Sequence, residues 1–209
     1  MIKRLLLGIM GILGMWLASM GVPYLVGEEV VEVMDGDTFK LRNNQFIRLF
    51  GADAPEIGNC YGDEARERLT QLILEKRVFI REPVTDIYRR VVALVYLDGE
   101  LINEKMVREG FAVYTRSGGS ETEIMKKANE YARANSVGIF QPRCYQKDPP
   151  DPKCTIKGNL DRDKKLMVYM TSACLYYDKT IIEQFRGERW FCSVDEAMKA
   201  GFVKSVNCK

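Results

Sequence analysis

The chain is predicted to adopt an α+β fold, a small barrel of short strands with helices packed on it, followed by a small cysteine-containing module. Three observations carry this reading. Between Glu28 and Gln146, short β-like runs punctuated by Asp-Gly and Asn-Asn turn signals alternate with amphipathic helical stretches. Lys147 to Lys153 (KDPPDPK) then places three prolines in seven residues, which keeps that stretch extended and out of any core. Beyond it lie four of the six cysteines, Cys154, Cys174, Cys192 and Cys208.

The elements follow in order. Val30, Val31 and Val33 begin a β-like segment, and Asp35-Gly36-Asp37 supplies a turn. Thr38–Arg42 and Gln45–Gly51 read as the next strands, joined at Asn43-Asn44. Gly62–Leu74 reads as a helix with Ala65, Leu69, Leu72 and Ile73 on one face. Val78 and Ile80 mark a strand, and the unbroken apolar run Val91–Leu97 reads as a buried one, ended by the turn Asp98-Gly99. Ile102–Glu109 is a short helix stopped by Gly110. A longer helix is expected from Ser120, where Ser120 and Glu123 fit a capping box, with Ile124, Ala128, Tyr131 and Ala132 on its apolar face. A second box, Ser193 and Glu196, opens a helix in the tail that Gly201 closes.

Residues 1–27 form a targeting segment. Lys3 and Arg4 precede Leu5 to Val26, a run without charge. At about 1.5 Å per residue such a helix is long enough to cross a bilayer of roughly 30 Å. A cleaved signal peptide and an uncleaved anchor both fit, and either places the body outside the cytoplasm, secreted, periplasmic or held on the outer face of the membrane.

Composition narrows the chemistry. At 29% charged residues the chain is not a polytopic membrane protein, and 46% hydrophobic residues suffice for a core. Apart from Lys3 and Arg4, 29 basic residues face 29 acidic ones, so attraction to phosphate must be local. Histidine is absent, which excludes a Ser-His-Asp triad, a Cys-His pair and a histidine metal site. Hydrolysis would then rest on carboxylates, arginines and a hard cation held by oxygen. No C-x-x-C pair is present, and an even cysteine count in an exported chain points to disulfides.

Three stretches carry such chemistry: Asp35-Gly36-Asp37-Thr38, Arg48 through Asp53-Ala54-Pro55-Glu56, and Thr85-Asp86-Ile87-Tyr88-Arg89-Arg90. Alone, each reads blandly, as a turn, a solvated arginine or a strand exit. Together they answer what phosphodiester cleavage needs, charge stabilisation in the transition state and an activated water. Arg48 sits between Ile47 and Leu49, which predicts a buried guanidinium in need of an anion. Clustered carboxylates in turn need a cation.

These stretches resemble the thermonuclease, or staphylococcal-nuclease-like, family over roughly Glu28 to Phe140. Tyr61-Gly62-Asp63-Glu64-Ala65, Val95 to Gly99, Asn103-Glu104 and Gly110-Phe111-Ala112 extend the likeness. The resemblance implies a five-stranded OB-fold barrel with three helices. It also implies Ca²⁺-dependent hydrolysis of DNA and RNA that leaves 3′-phosphate ends, by a chain acting as a monomer. It assigns Asp37, Asp53 and the backbone carbonyl of Ala54 to the metal, and Arg48 and Arg90 to the phosphate. Glu56 is assigned to the attacking water, Asp35 to support of the metal site, and Tyr88 to the nucleotide. Ala54 departs from the family's usual Thr, Arg89 from its usual Gly, and the loop from Glu56 to Tyr61 is short. Degenerate, non-catalytic copies of this barrel that bind nucleic acid or protein are the alternative; they lose arginines or carboxylates that this chain keeps.

Cys60 and Cys144 flank the expected catalytic unit, and a bridge between them would tie the loop after Glu56 to the end of the last helix; unpaired thiols are the other possibility. The tail's end distantly resembles the zinc module of DNA-methyl-damage sensors, without the cysteine that pattern wants at Ser205 or the histidine at Met170. Zinc and two disulfides both fit its four cysteines. Connectivity does not follow from sequence, and Cys154–Cys192 with Cys174–Cys208 is one arrangement. The tail's aromatic residues read as core rather than a stacking platform.

Overall fold

The structure, a computed structural model, describes residues 27–115, 119–161 and 165–208. Apart from Gly27, the expected signal or anchor segment lies outside the described residues. Among them, no helix is long and apolar enough to cross a membrane.

The N-terminal part runs β1 (Glu28–Val33), β2 (Thr38–Leu41), β3 (Phe46–Leu49), β4 (Ala52–Asp53), α1 (Gly62–Ile73), β5 (Arg77–Thr85), β6 (Val91–Leu97), β7 (Glu100–Leu101), α2 (Ile102–Arg108), β8 (Val113–Tyr114) and α3 (Thr122–Ala134). The β1–β2 turn is built by Asp35, whose Oδ1 accepts from the backbone N–H groups of Asp37 and Thr38 at 2.9 and 2.7 Å. The β2–β3 hairpin turns through Asn43 and Asn44; Asn44 takes φ 68°, which Asn tolerates better than most residues. β1, β2 and β3 pair antiparallel in sequence, and β5 joins β1 to β6. The parallel pairing of β3 with β6, Arg48 opposite Val92, closes the ring. This is the closed five-stranded OB-fold barrel with three helices that the sequence predicts.

Val30, Phe39, Leu41, Ile47 and Leu49 fill the barrel together with Val78, Ala93 and Val95. Burying each large side chain stabilises by roughly 1.5–3 kcal/mol. Ala93, Leu94 and Val95 are buried in succession because both faces of β6 are covered, as the unbroken apolar run predicts. Asn103 at the start of α2 is fully buried. Its Oδ1 accepts from Val95 N–H at 2.9 Å, and its Nδ2 donates to the carbonyls of Phe50 and Ala93 at 2.9 and 3.0 Å. One amide thus staples α2 to β6 and to the chain leaving β3.

Two expectations are corrected. The capping box at Ser120 does not form: α3 begins at Thr122 without a side-chain cap, and the Ser120 N–H donates instead to Glu82. A carboxylate across the fold has taken the donor that local capping would have used. Arg48 is not buried as its neighbours imply. Strand alternation sends Ile47 and Leu49 into the core and Arg48 to the opposite face, where its side chain keeps 22% exposure.

The C-terminal part contains β9 (Tyr145–Gln146), β10 (Ile156–Asp161), β11 (Leu166–Met170), β12 (Ile182–Glu183), β13 (Arg189–Phe191), α4 (Val194–Lys199) and β14 (Val203–Lys204). Its sheet has the order β13-β10-β11-β14. Tyr169, Phe191, Ala197 and Phe202 form its core, so these aromatic residues are indeed core. The Ser193 cap of α4 is made, with Glu196 N–H donating to Ser193 Oγ. All six cysteines are paired: Cys60–Cys144, Cys154–Cys192 and Cys174–Cys208. The oxygen and sulfur atoms of Asp151, Cys154 and Cys192 lie close together, but the two sulfurs are bonded to each other and offer no thiolate to zinc.

The tail is not a bead on a string. β9 pairs with β12, Gln184 N–H donates to the Cys144 carbonyl at 2.8 Å, and Phe185 packs into an apolar cluster with Val113, Ala132, Ile139, Phe140 and Cys144.

Candidate active site

Two close approaches bring the carboxylates together. A Cβ on Gly36 would stand 2.5 Å from the Cβ of Ala65 and 2.7 Å from that of Ala54, so only glycine lets the Asp35–Asp37 turn press against the strand exit carrying Asp53 and Ala54. A Cβ on Gly62 would come within 2.2 Å of the Glu56 carbonyl oxygen, so the start of α1 can lie directly under the loop that presents Glu56.

Arg48 joins the resulting cluster. One of its terminal nitrogens lies 2.8 Å from Asp37 Oδ2 and 2.7 Å from Asp53 Oδ1. Asp37 is only 2% exposed and also accepts from Thr38 Oγ1 at 2.8 Å and from Ala54 N–H at 3.0 Å. Burial pushes its carboxyl up to about 7, against the pull of Arg48 and with the added push of Asp35. Asp35 supports the cluster through the backbone of Asp37 and Thr38. The exposed Glu56 shares a cavity of about 160 Å³ with Asp53, Ala54, Asn59, Leu160, Phe185 and Arg186. A larger groove of about 760 Å³, bounded in part by α2 and α3, contains none of the candidate residues.

The structure brings Arg48, Asp37, Asp53, Ala54 and Asp35 into direct contact and places Glu56 beside them. Arg90 belongs to a separate unit. It enters from the residue before β6, while Asp86 accepts from its side chain at 2.8 Å and from its backbone N–H at 2.9 Å. Burial raises the Asp86 carboxyl, but hydrogen bonds from Arg90 and Tyr88 outweigh it and hold the group below its ordinary value. The Arg90 guanidinium lies 5.2 Å from the centroid of the Tyr88 ring, which is 72% exposed. Arg89 takes φ 64°, a left-handed conformation that favours the glycine usual in the resembled family.

Two polar residues of the site carry no signal in the sequence. Arg186 lies between Glu183, at 2.8 Å from its Nε, and Asp53 Oδ2, at 3.4 Å. Asn59 Nδ2 donates to the Phe185 carbonyl at 3.5 Å. Both act across the join between barrel and tail, far apart in the chain, where no local motif records them.

The donor set fits a hard divalent cation. Asp37 Oδ2 and Asp53 Oδ1 converge on one point, held here by an Arg48 nitrogen, and burial raises the Asp37 carboxyl more than Arg48 lowers it, a penalty that a divalent cation would offset. Paired carboxylates bridged by Arg48, with Arg186 and an exposed glutamate beside them, make this the candidate active site.

Comparison with known proteins agrees. Residues 46–142 match the family described as staphylococcal nuclease homologue. Micrococcal nuclease from Shigella flexneri is 36% identical over 125 residues, covering 54% of this chain and 72% of that protein. An uncharacterized endonuclease from Escherichia coli is 37% identical over 115 residues, 53% of this chain and 74% of that protein. Another from Haemophilus influenzae is 32% identical over 115 residues, 53% of this chain and 64% of that protein. The chain belongs to the staphylococcal nuclease family.

Proposed function

We propose that the chain is an exported, Ca²⁺-dependent nuclease that hydrolyses DNA, RNA or both with low sequence specificity. The observation that carries this reading is the single Arg48 nitrogen held between Asp37 and Asp53, with Glu56 exposed in the adjoining cavity. Residues 28–146 form the catalytic unit, and the tail follows the Pro-rich stretch 147–153.

Asp37, Asp53 and the Ala54 carbonyl would hold the cation, which when bound supplies charge neutralisation at the phosphate and favours a nucleophilic water. Arg48 and Arg90 bind the phosphate oxygens and stabilise charge in the transition state. Glu56 accepts the proton as water attacks phosphorus; the bond to the 5′ oxygen breaks and that oxygen takes up a proton from solvent, leaving a 3′-phosphate and a 5′-hydroxyl. Asp35 fixes the turn beneath, and Tyr88 offers an aromatic face to the nucleotide. Complete pairing of six cysteines supports an oxidising compartment, reached as a cleaved product or as a membrane-anchored monomer.

The test is plasmid degradation in Ca²⁺, with and without chelator. Arg48→Ala and Glu56→Gln should each lower kcat by about 100- to 1,000-fold, the cost of removing one preorganised transition-state contact. Full activity in either variant would overturn the assignment.

A further inference from the structure

Arg186 is held in place through its chain neighbours and through its own side chain. Phe185 before it is buried against Phe140 and Cys144, Gln184 is tied to the Cys144 carbonyl and to Gln146 Oε1, and Gly187 after it turns the chain at φ 84°. Glu183 fixes Nε at 2.8 Å, leaving the far end of the guanidinium, only 18% exposed, at Asp53. Its second terminal nitrogen has no protein partner among the described residues.

The two oxygens of Asp53 face two different arginines, Arg48 on Oδ1 and Arg186 on Oδ2. The carboxylate therefore separates them, and a phosphate gripped by Arg48 leaves Arg186 on the far side of Asp53. When Asp53 turns to a cation, Arg186 loses half of its counter-charge inside a cavity it lines with Glu56 and Asn59. A largely buried guanidinium left short of an anion is costly, and a bidentate oxyanion restores the balance.

We propose that Arg186 is a substrate-contacting residue that binds the backbone phosphate next to the scissile one, so that the tail module adds a phosphate subsite to the active site. The inference rests on the nuclease reading above and extends it: a chain with several phosphates gains from Arg186, and a dinucleotide with a single phosphodiester does not.

The experiment compares the full chain with Arg186→Met, which keeps an unbranched stem over Phe185, and with Arg186→Lys, which restores a point charge. With Ca²⁺ and a short single-stranded DNA, Arg186→Met should raise KM about tenfold, the loss of one charge-assisted contact, with kcat nearly unchanged. Lysine should recover part of that loss, and the loss on a dinucleotide should be several-fold smaller than the loss on the longer strand in both variants. In a Glu56→Gln background, fluorescence anisotropy of the same DNA should show the slope of log K against log salt reduced by about 0.7 in Arg186→Met, as expected for one phosphate contact on a single strand. Equal losses on both substrates with an unchanged slope would mean that Arg186 only positions Asp53, and would overturn the proposal. Unaltered KM and slope would do the same. If the unsubstituted chain cleaves neither substrate, the nuclease reading fails, and the salt slope alone decides whether Arg186 binds phosphate.

Discussion

In the barrel, Val30, Phe39, Leu41, Ile47 and Leu49 are each at most 1% exposed and belong to one continuous apolar cluster. In the tail, four buried residues form the central cluster, and Cys154–Cys192 and Cys174–Cys208 cross-link the segments around it. The barrel is large enough to stabilise itself by burial. The tail is of a size at which apolar area alone falls short, and cross-links that restrict the unfolded chain make up the difference. The molecule fixes the side chains of the candidate site by both means: a packed core behind Arg48 and Asp37, and a stapled module behind Arg186.

Removing only the two tail bridges, by Cys154→Ser with Cys192→Ser and Cys174→Ser with Cys208→Ser, should expose the contrast most strongly. The tail bridges close loops spanning 38 and 34 residues, and each should contribute roughly 3–4 kcal/mol on the chain-entropy account. Hydrogen exchange of that variant, with Cys60–Cys144 intact, should therefore show protection lost in β10, β11 and β13 while β2, β3 and β6 stay protected. Uniform loss would erase the distinction. Asn103→Ala tests the other side. It orphans the Val95 N–H and removes a donor from two carbonyls, and should lower barrel stability by about 3 kcal/mol in urea denaturation, with little change in tail protection.

The site's electrostatics give a pH-dependent prediction. Because the folded value of Asp37 is raised to about 7 from 3.8, its contribution to the stability of the metal-free chain is fully present below about pH 4 and is lost as pH rises through 7. A cation reverses the preference, since it needs the carboxylate ionised. Calorimetry should find Ca²⁺ affinity roughly tenfold lower at pH 6 than at pH 7.5, with a proton released on binding at the lower pH. Smallest of all, Arg89→Gly should relieve the left-handed backbone and stabilise the chain by about 0.5–1 kcal/mol in thermal melts.

Much of the barrel was legible because its signals are local. Alternating valines, Asp-Gly turns and the apolar run Val91–Leu97 each report on their own neighbours. The helix start at Ser120 misled because Glu82, distant in sequence, captured the donor. Asp35, Asp37, Arg48, Asp53 and Glu56 could be named as a set, since they fall in short stretches with a recognisable pattern. Arg48's environment could not, because apolar neighbours say which face they occupy and nothing about the carboxylates on the other. Arg186 lay beyond reach. It meets Asp53 across 133 residues, and nothing in Gln184-Phe185-Arg186-Gly187 marks it.

The bond between Cys60 and Cys144 makes a covalent ring of the chain between them, with 84 positions of sequence separation and all of α1, α2 and α3 inside it. A protease that cuts anywhere within that ring opens it without dividing the molecule. The two pieces remain one particle, and the fragments that carry Arg48 and Arg186 do not drift apart. A nicked preparation should run as a single band until a thiol is added, and should keep its activity for as long as the ring's packing outlasts the cut.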